Sequence, residues 1–340
     1  MPRIPHLDLA RGFTVFIMPS VHVVMLYSHP AVQQSILGNI LRFLAEGPGA
    51  QLFMLLMGVS ITLSSKLNGN QVLQRTLYLL TGAFLLNLYK LVIPLELELI
   101  PPSLLQDLEL TDRHDASIFF LLMGDIFHFA AIAYPLTYLI YRLPYYRYWA
   151  MLVAIAIMLL SPYIWDVKTN LNFVDGVLLY FNRQPPSVYF PVFPWLVYPL
   201  TGLCIGKYIQ SRFIVSAGAA AVIISLLFPK TTGTVSYPSH YRTMPADTLF
   251  HTGLVLLWLS LFRWVSRKLK MNPVFQLLNF CSRHITLIYI IQWLLIFWCL
   301  PLAGYLTLGL VESLLWMAGM TLITLTLTKL FQYVPVQKSL

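Results

Sequence analysis

An all-α, polytopic membrane bundle of about ten transmembrane helices is the fold that this sequence predicts. Three observations predict it. The chain is 58% hydrophobic and 10% charged, with a mean hydropathy of +0.72, far from the make-up of a soluble domain. Apolar runs of roughly 20 residues, long enough for a helix to cross a bilayer, recur from end to end. Basic residues gather in alternate connections between those runs, as the positive-inside bias requires.

The runs are 9–28, 45–64, 74–95, 116–141, 147–163, 189–209, 211–228, 246–265, 276–298 and 305–331. The first holds Arg11 and His22 within its apolar length. The second carries Gly58, Ser60, Thr62 and Ser64, small residues that let helices approach closely. The third gives way to an acidic segment with Glu96, Glu98, Asp107, Glu109, Asp112 and Asp115. The fourth encloses Asp125 and His128, and the fifth and seventh rest on apolarity alone. The sixth opens on Pro191, Pro194 and Pro199, which kink or break a helix and free backbone groups to line a cavity. The eighth starts near Asp247, a capping residue type, with His251 one turn further on the same face. The ninth carries Gln292 near its middle, and the tenth completes the set. No soluble domain fits between the runs and no internal repeat is visible, so residues 1–340 read as one transmembrane domain.

One set of connections holds Arg3, Arg11, Lys66, Arg75, Arg142, Arg147, Lys207, Arg212, Arg263, Arg267, Lys268, Lys270, Arg283, Lys329 and Lys338. The other holds Arg42, Lys90, Arg113, Lys168, Arg183, Lys230 and Arg242, dividing the 22 basic residues 15 to 7. That bias puts both termini in the cytoplasm, in agreement with an even number of spans. The net charge of +9 is therefore a topology signal rather than a sign of nucleic acid. Connections on the inner side are short (65–74, 141–147, 207–212), while those outside are long (97–115, 161–188, 228–245). Long loops either handle a substrate at the external face or merely cap the bundle. Cys204, Cys281 and Cys299 lie in or beside apolar runs without metal-ligand spacing, and read as small buried hydrophobes; no metal is expected. The N-terminal run lacks a small-residue cleavage site and reads as a retained anchor. An integral membrane protein, of the bacterial inner-membrane kind, is the expected setting.

Eleven residues bring an α-helix back to within roughly 20° of its start, about 16 Å along the axis. Asp8, Arg11, Met18 and His22 thus form one stripe, provided Pro19 does not turn it. An ionisable side chain within the bilayer costs on the order of 2.5–3.5 kcal/mol at the centre, and normally faces a protein-lined cavity. His22 reads either as a general base or as a structural histidine bonded to a neighbouring helix; Arg11 reads either as a ligand for an anion or as an ordinary anchor. Asp125 and His128, three apart, can orient one another, lock two helices, or carry a proton. Trp195 walls a substrate site or belongs to an interfacial belt, and Arg242 holds an anionic group or marks its loop. Arg283 and His284 stand at the inner end of the ninth run. With Arg267, Lys268 and the rest of 263–270 they can attract phosphate, or simply fix topology.

The opening Leu7-Asp8-Leu9-Ala10-Arg11-Gly12 with His22 following resembles the first helix of transmembrane acyltransferases. The heparan-α-glucosaminide N-acetyltransferase-like family is nearest, and the acyltransferase-3 family has a similar Arg and His spacing. The segments Gly58-Val59-Ser60, Gly124-Asp125-Ile126, Phe190 to Trp195 and Ser282 to Tyr289 follow in the family's order, so the similarity covers most of the chain. Two positions depart from the pattern: His284 replaces a small polar residue, and Gln292 stands where relatives often have His. The resemblance implies an acetyltransferase that moves an acetyl or other acyl group from cytosolic acyl-CoA to a sugar at the far face. It also implies His22 at the catalytic position and Arg11 against the acyl donor. Asp125 or His128 would then orient or relay the proton, and Trp195, Arg242, Asp247, His251 and Gln292 would shape the acceptor site. A covalent acyl-histidine is compatible with the same residue. The partners are then membrane lipid, acyl-CoA and a glycan acceptor, and a homodimer is compatible with the chain. A transporter or exporter of a small anion or lipid-linked sugar would use the same intramembrane Asp, His and Arg groups.

Overall fold

The computed structural model describes residues 4–64, 67–165, 167–169, 171–228, 240–269 and 272–332. Arg3, Lys66, Lys270 and Lys338, and residues 229–239 with Lys230, lie outside them. Over the described residues the chain is helical, with two isolated β-bridges and no named strand. The main helices are α1 (Pro5–Tyr27), α2 (Ile36–Leu44), α3 (Ala50–Leu63), α4 (Gly69–Asn87), α5 (Arg113–Leu122), α6 (Ile126–Tyr141) and α7 (Tyr146–Ile164). They continue with α8 (Asn172–Asn182), α9 (Val197–Ile205), α10 (Phe213–Leu227), α11 (Pro245–Lys268), α12 (Pro273–Arg283), α13 (Ile285–Trp298) and α14 (Leu310–Phe331).

Among the described residues, six helical runs are long and apolar enough to cross a membrane: Pro5–Tyr27, Ile36–Leu63, Gly69–Glu96, Tyr146–Ile164, Pro245–Lys268 and Leu310–Phe331. The bent pair α12 and α13, turning through 84° at His284, makes a seventh if counted as one span. The other three apolar runs are helical but interrupted or short, and local chemistry says why. The run 116–141 divides at Met123–Asp125, where Gly124 leaves the helix to bridge Val188. The run 189–209 breaks at Phe193 (φ −107°, ψ 111°), among its prolines. The run 211–228 yields the 15-residue α10. Pro19, by contrast, sits inside a continuous α1. Large apolar side chains point outward along the long helices, such as Leu315, Leu322 and Leu330 on α14 and Leu152, Leu159 and Leu160 on α7. A helix that is apolar on its exposed face needs lipid around it.

The described residues form two compact units, each made of separated stretches. The first gathers 47–83 and 123–261, where α3 and α9 cross most closely and α6 and α7 pack beside them. Its crossing depends on glycine. A Cβ at Gly58 would land on the carbonyl of Pro199, and one at Gly202 on that of Leu55. Leu55, Val59 and Leu203 border the crossing, and Leu52 and Leu200 are buried on the same two helices. The second unit gathers 3–46, 84–122 and 262–340, with α1 packed against α12, α13 and α14. Gly12 lets α1 approach the backbone of Leu278 in the same way.

Candidate active site

The stripe on α1 faces the bent pair. Asp8 accepts from the Ser282 hydroxyl at 3.1 Å, Met18 Sδ accepts from Gln292 Nε2 at 2.7 Å, and His22 lies on the Trp293 indole. The two rings are 4.0 Å apart between centroids, inclined by 31°. Both are partly buried, whereas Gln292 is wholly so. The helical phase that puts Asp8, Met18 and His22 on one line therefore survives Pro19. Arg11 is partly buried on the same helix, near enough to Asp8 for charge interaction, and donates no hydrogen bond to a described residue. Of the other cations singled out in this unit, Arg283 at the end of α12 and Arg267 and Lys268 at the end of α11 are exposed. His284 occupies the bend itself, its ring 4.7 Å from Phe280.

Lys90 completes this centre, and sequence reasoning missed it by treating it as a loop charge. The helix beginning at Gly69 runs on through a π-helical turn, Leu88–Val92, that holds Lys90 in the interior. Its Nζ lies 4.8 Å from the centroid of Trp293. Trp298 Nε1 donates to the carbonyl of Tyr89 at 2.9 Å and so ties that turn to α13. The available signal was the unbroken apolar sequence on both sides of Lys90.

Asp125 and His128 lie in the other unit and form a capping box at the start of α6. The Asp125 carboxylate accepts from Ile126 N–H at 2.7 Å, and Asp125 N–H donates to His128 Nδ1 at 3.2 Å. His128 is buried and stacks on Tyr180 at 5.2 Å. Just before the cap, Gly124 N–H donates to Ser187 and Tyr189 N–H donates to Gly124, fixing the segment that leads to Phe190. Of the two residues, Asp125 is therefore the cap and not an interior helix residue, because the chain is extended there.

Trp195 is fully buried in an aromatic cluster with Phe190, Tyr198, His240 and Tyr241, and its Nε1 donates to the Tyr241 carbonyl at 2.8 Å. His240 and His251 meet at 5.8 Å between ring centroids. Burial, with the charge of His251 second, lowers the pKa of His240 to about 3, so it is neutral near pH 7. His240 is a second residue that no local feature of the sequence singles out. Asp247 falls in the first turn of α11, which begins two residues earlier at Pro245. Arg242 is buried: its guanidinium donates to the Asn182 carbonyl and lies 5.5 Å over Trp165. It links the end of α8 to the approach to α11 instead of standing open in its loop.

The family model described as "Heparan-alpha-glucosaminide N-acetyltransferase, catalytic" matches residues 3–240, well over half of the chain. The chain belongs to this family. No curated protein and no solved structure gives a significant match. Membership carries the general assignment of a membrane acetyltransferase. The matched residues include Arg11, His22, Lys90, Asp125, His128 and Trp195 but end before Gln292 and Trp293, so the setting of His22 against α13 comes from geometry alone.

Proposed function

We propose that the chain transfers an acyl group, acetyl in the first instance, from cytosolic acyl-CoA to a sugar hydroxyl or amine at the external face of a bacterial inner membrane. In this reading one domain crosses the bilayer ten times with both termini in the cytoplasm. The observation that carries it is the His22 imidazole set against Trp293, eleven residues up α1 from Arg11, in a member of an acetyltransferase family.

Arg11 and Arg283, with His284, Arg267 and Lys268, bind the phosphates of acyl-CoA. Their support is chemical: Arg11 donates to no described residue, and the other three cations are exposed. The pantetheine arm spans the roughly 16 Å between Arg11 and His22. His22 takes the proton from the acceptor O–H or N–H as its lone pair adds to the thioester carbonyl. The C–S bond then breaks, and CoA leaves as a thiolate that collects the proton. Gln292 Oε1, buried and with no donor among the described residues, accepts a hydrogen bond from substrate. Within the first unit, His251 and Asp247 are the side chains whose chemistry suits an acceptor; Trp195 and Arg242 hold the segments around them, and Asp125 and His128 position the segment ahead of Phe190.

The full chain in detergent, given acetyl-CoA and candidate amino sugars, should release CoA thiol with acetylated product. His22→Gln, eluting as a single folded species, should lose about 10²-fold or more in turnover. Full turnover in that variant would sink the assignment. Flux of sugar into liposomes without covalent product would favour the transporter.

A further inference from the structure

We propose that Lys90 is a positioning residue for His22, acting through Trp293. The inference rests on the reading of His22 as the base. An intramembrane lysine is costly, and one with its head group in the interior cannot reach the interface along its stem. Lys90 is 2% exposed within the helical run Gly69–Glu96. It is carried there by a π-helical turn, a distortion that recurs at functional sites.

Its ammonium lies 4.8 Å from the centroid of the indole on which His22 rests at 4.0 Å. A cation held over an indole fixes that ring electrostatically. Two further rings meet Trp293: Phe297 stacked at 5.7 Å and Tyr289 edge-on at 6.3 Å. These fill space around the indole, while the ammonium adds a directed attraction. Asn87 Nδ2, donating to the Leu121 carbonyl at 3.1 Å, and Trp298, donating to Tyr89, hold the start of the π turn just ahead of Lys90. The lysine is thus pinned at its backbone and aimed at the ring that orients the imidazole. Losing its charge lets Trp293 tilt and His22 drift from the reacting carbonyl, where a displacement of about 1 Å costs on the order of 10²-fold in rate.

The test compares Lys90→Met, Lys90→Gln and Lys90→Arg in the full chain, alone and with His22→Gln. The neutral variants should lower kcat about 10- to 100-fold and leave KM for acetyl-CoA within about threefold. Lys90→Arg should restore most of kcat, because it keeps the cation. In the His22→Gln background the neutral change should add no further loss. Tryptophan emission reads the arrangement without activity. The emission difference between the chain and its His22→Gln variant should shrink when Lys90 is Met or Gln and persist when it is Arg. An arginine variant as slow as the methionine one overturns the proposal, as does additive loss with His22→Gln or an unchanged emission difference. If His22→Gln keeps full turnover, the base assignment has failed, and the emission arm still decides whether Lys90 sets the ring.

Discussion

Arg11 and His22 differ in what surrounds them, and the difference sorts their chemistry. His22 has an aromatic platform that fixes its plane, as a group moving a proton along one direction requires. Arg11 has Asp8 nearby and donates no hydrogen bond to a described residue, which leaves its planar fork open to an anion. A charge-assisted hydrogen bond is worth about 1.5–3 kcal/mol, or about 10- to 100-fold in affinity. Arg11→Gln should therefore raise KM for acetyl-CoA by about that factor while changing kcat less, as steady-state kinetics at varied donor would show. An equal fall in kcat with KM unchanged would place Arg11 at the reacting atoms instead.

Breaks in the helices, more than the helices, position the candidate residues. The 84° bend at His284 puts Ser282 opposite Asp8 and Trp293 opposite His22, and the cap at Asp125 holds the Gly124–Val188 bridge. At the α3–α9 crossing the helix contact is glycine-dependent because backbone meets backbone. Gly58→Leu or Gly202→Leu should destabilise the first unit by about 1–3 kcal/mol or more, from overpacking at the α3–α9 crossing. Gly82→Ala, with open space around it on α4, should be neutral or gain up to about 1 kcal/mol in helix propensity. Thermal unfolding in one detergent checks both, and equal losses at Gly58 and Gly82 would contradict the crossing. The sequence marked Gly58 as a small packing residue, yet nothing local singled out Gly202, because its partner Leu55 is remote in the chain.

On the scale of the molecule, stability should depend on pH through His240. Its folded pKa of about 3 lies below the ordinary value of 6.5, so the unfolded chain binds the extra proton between those limits. Stability is then whole above pH 6.5 and falls as pH drops towards 3. His240→Gln should flatten that fall in an unfolding series from pH 7 to 4; an unchanged slope would remove His240 from its buried setting. By itself the sequence determined an all-helical membrane protein, the spans with enough apolar length, the family, and the face of α1 that joins Asp8, Met18 and His22. The family follows from the ordered motifs it resembles, and the rest from composition or from a helical period shared by close neighbours. Only the tertiary structure decided that Trp293 meets His22, that Lys90 is interior, that Arg242 is engaged by Asn182, and that His240 meets His251. Those contacts join residues far apart in sequence, where packing selects the partner and no local period records the choice.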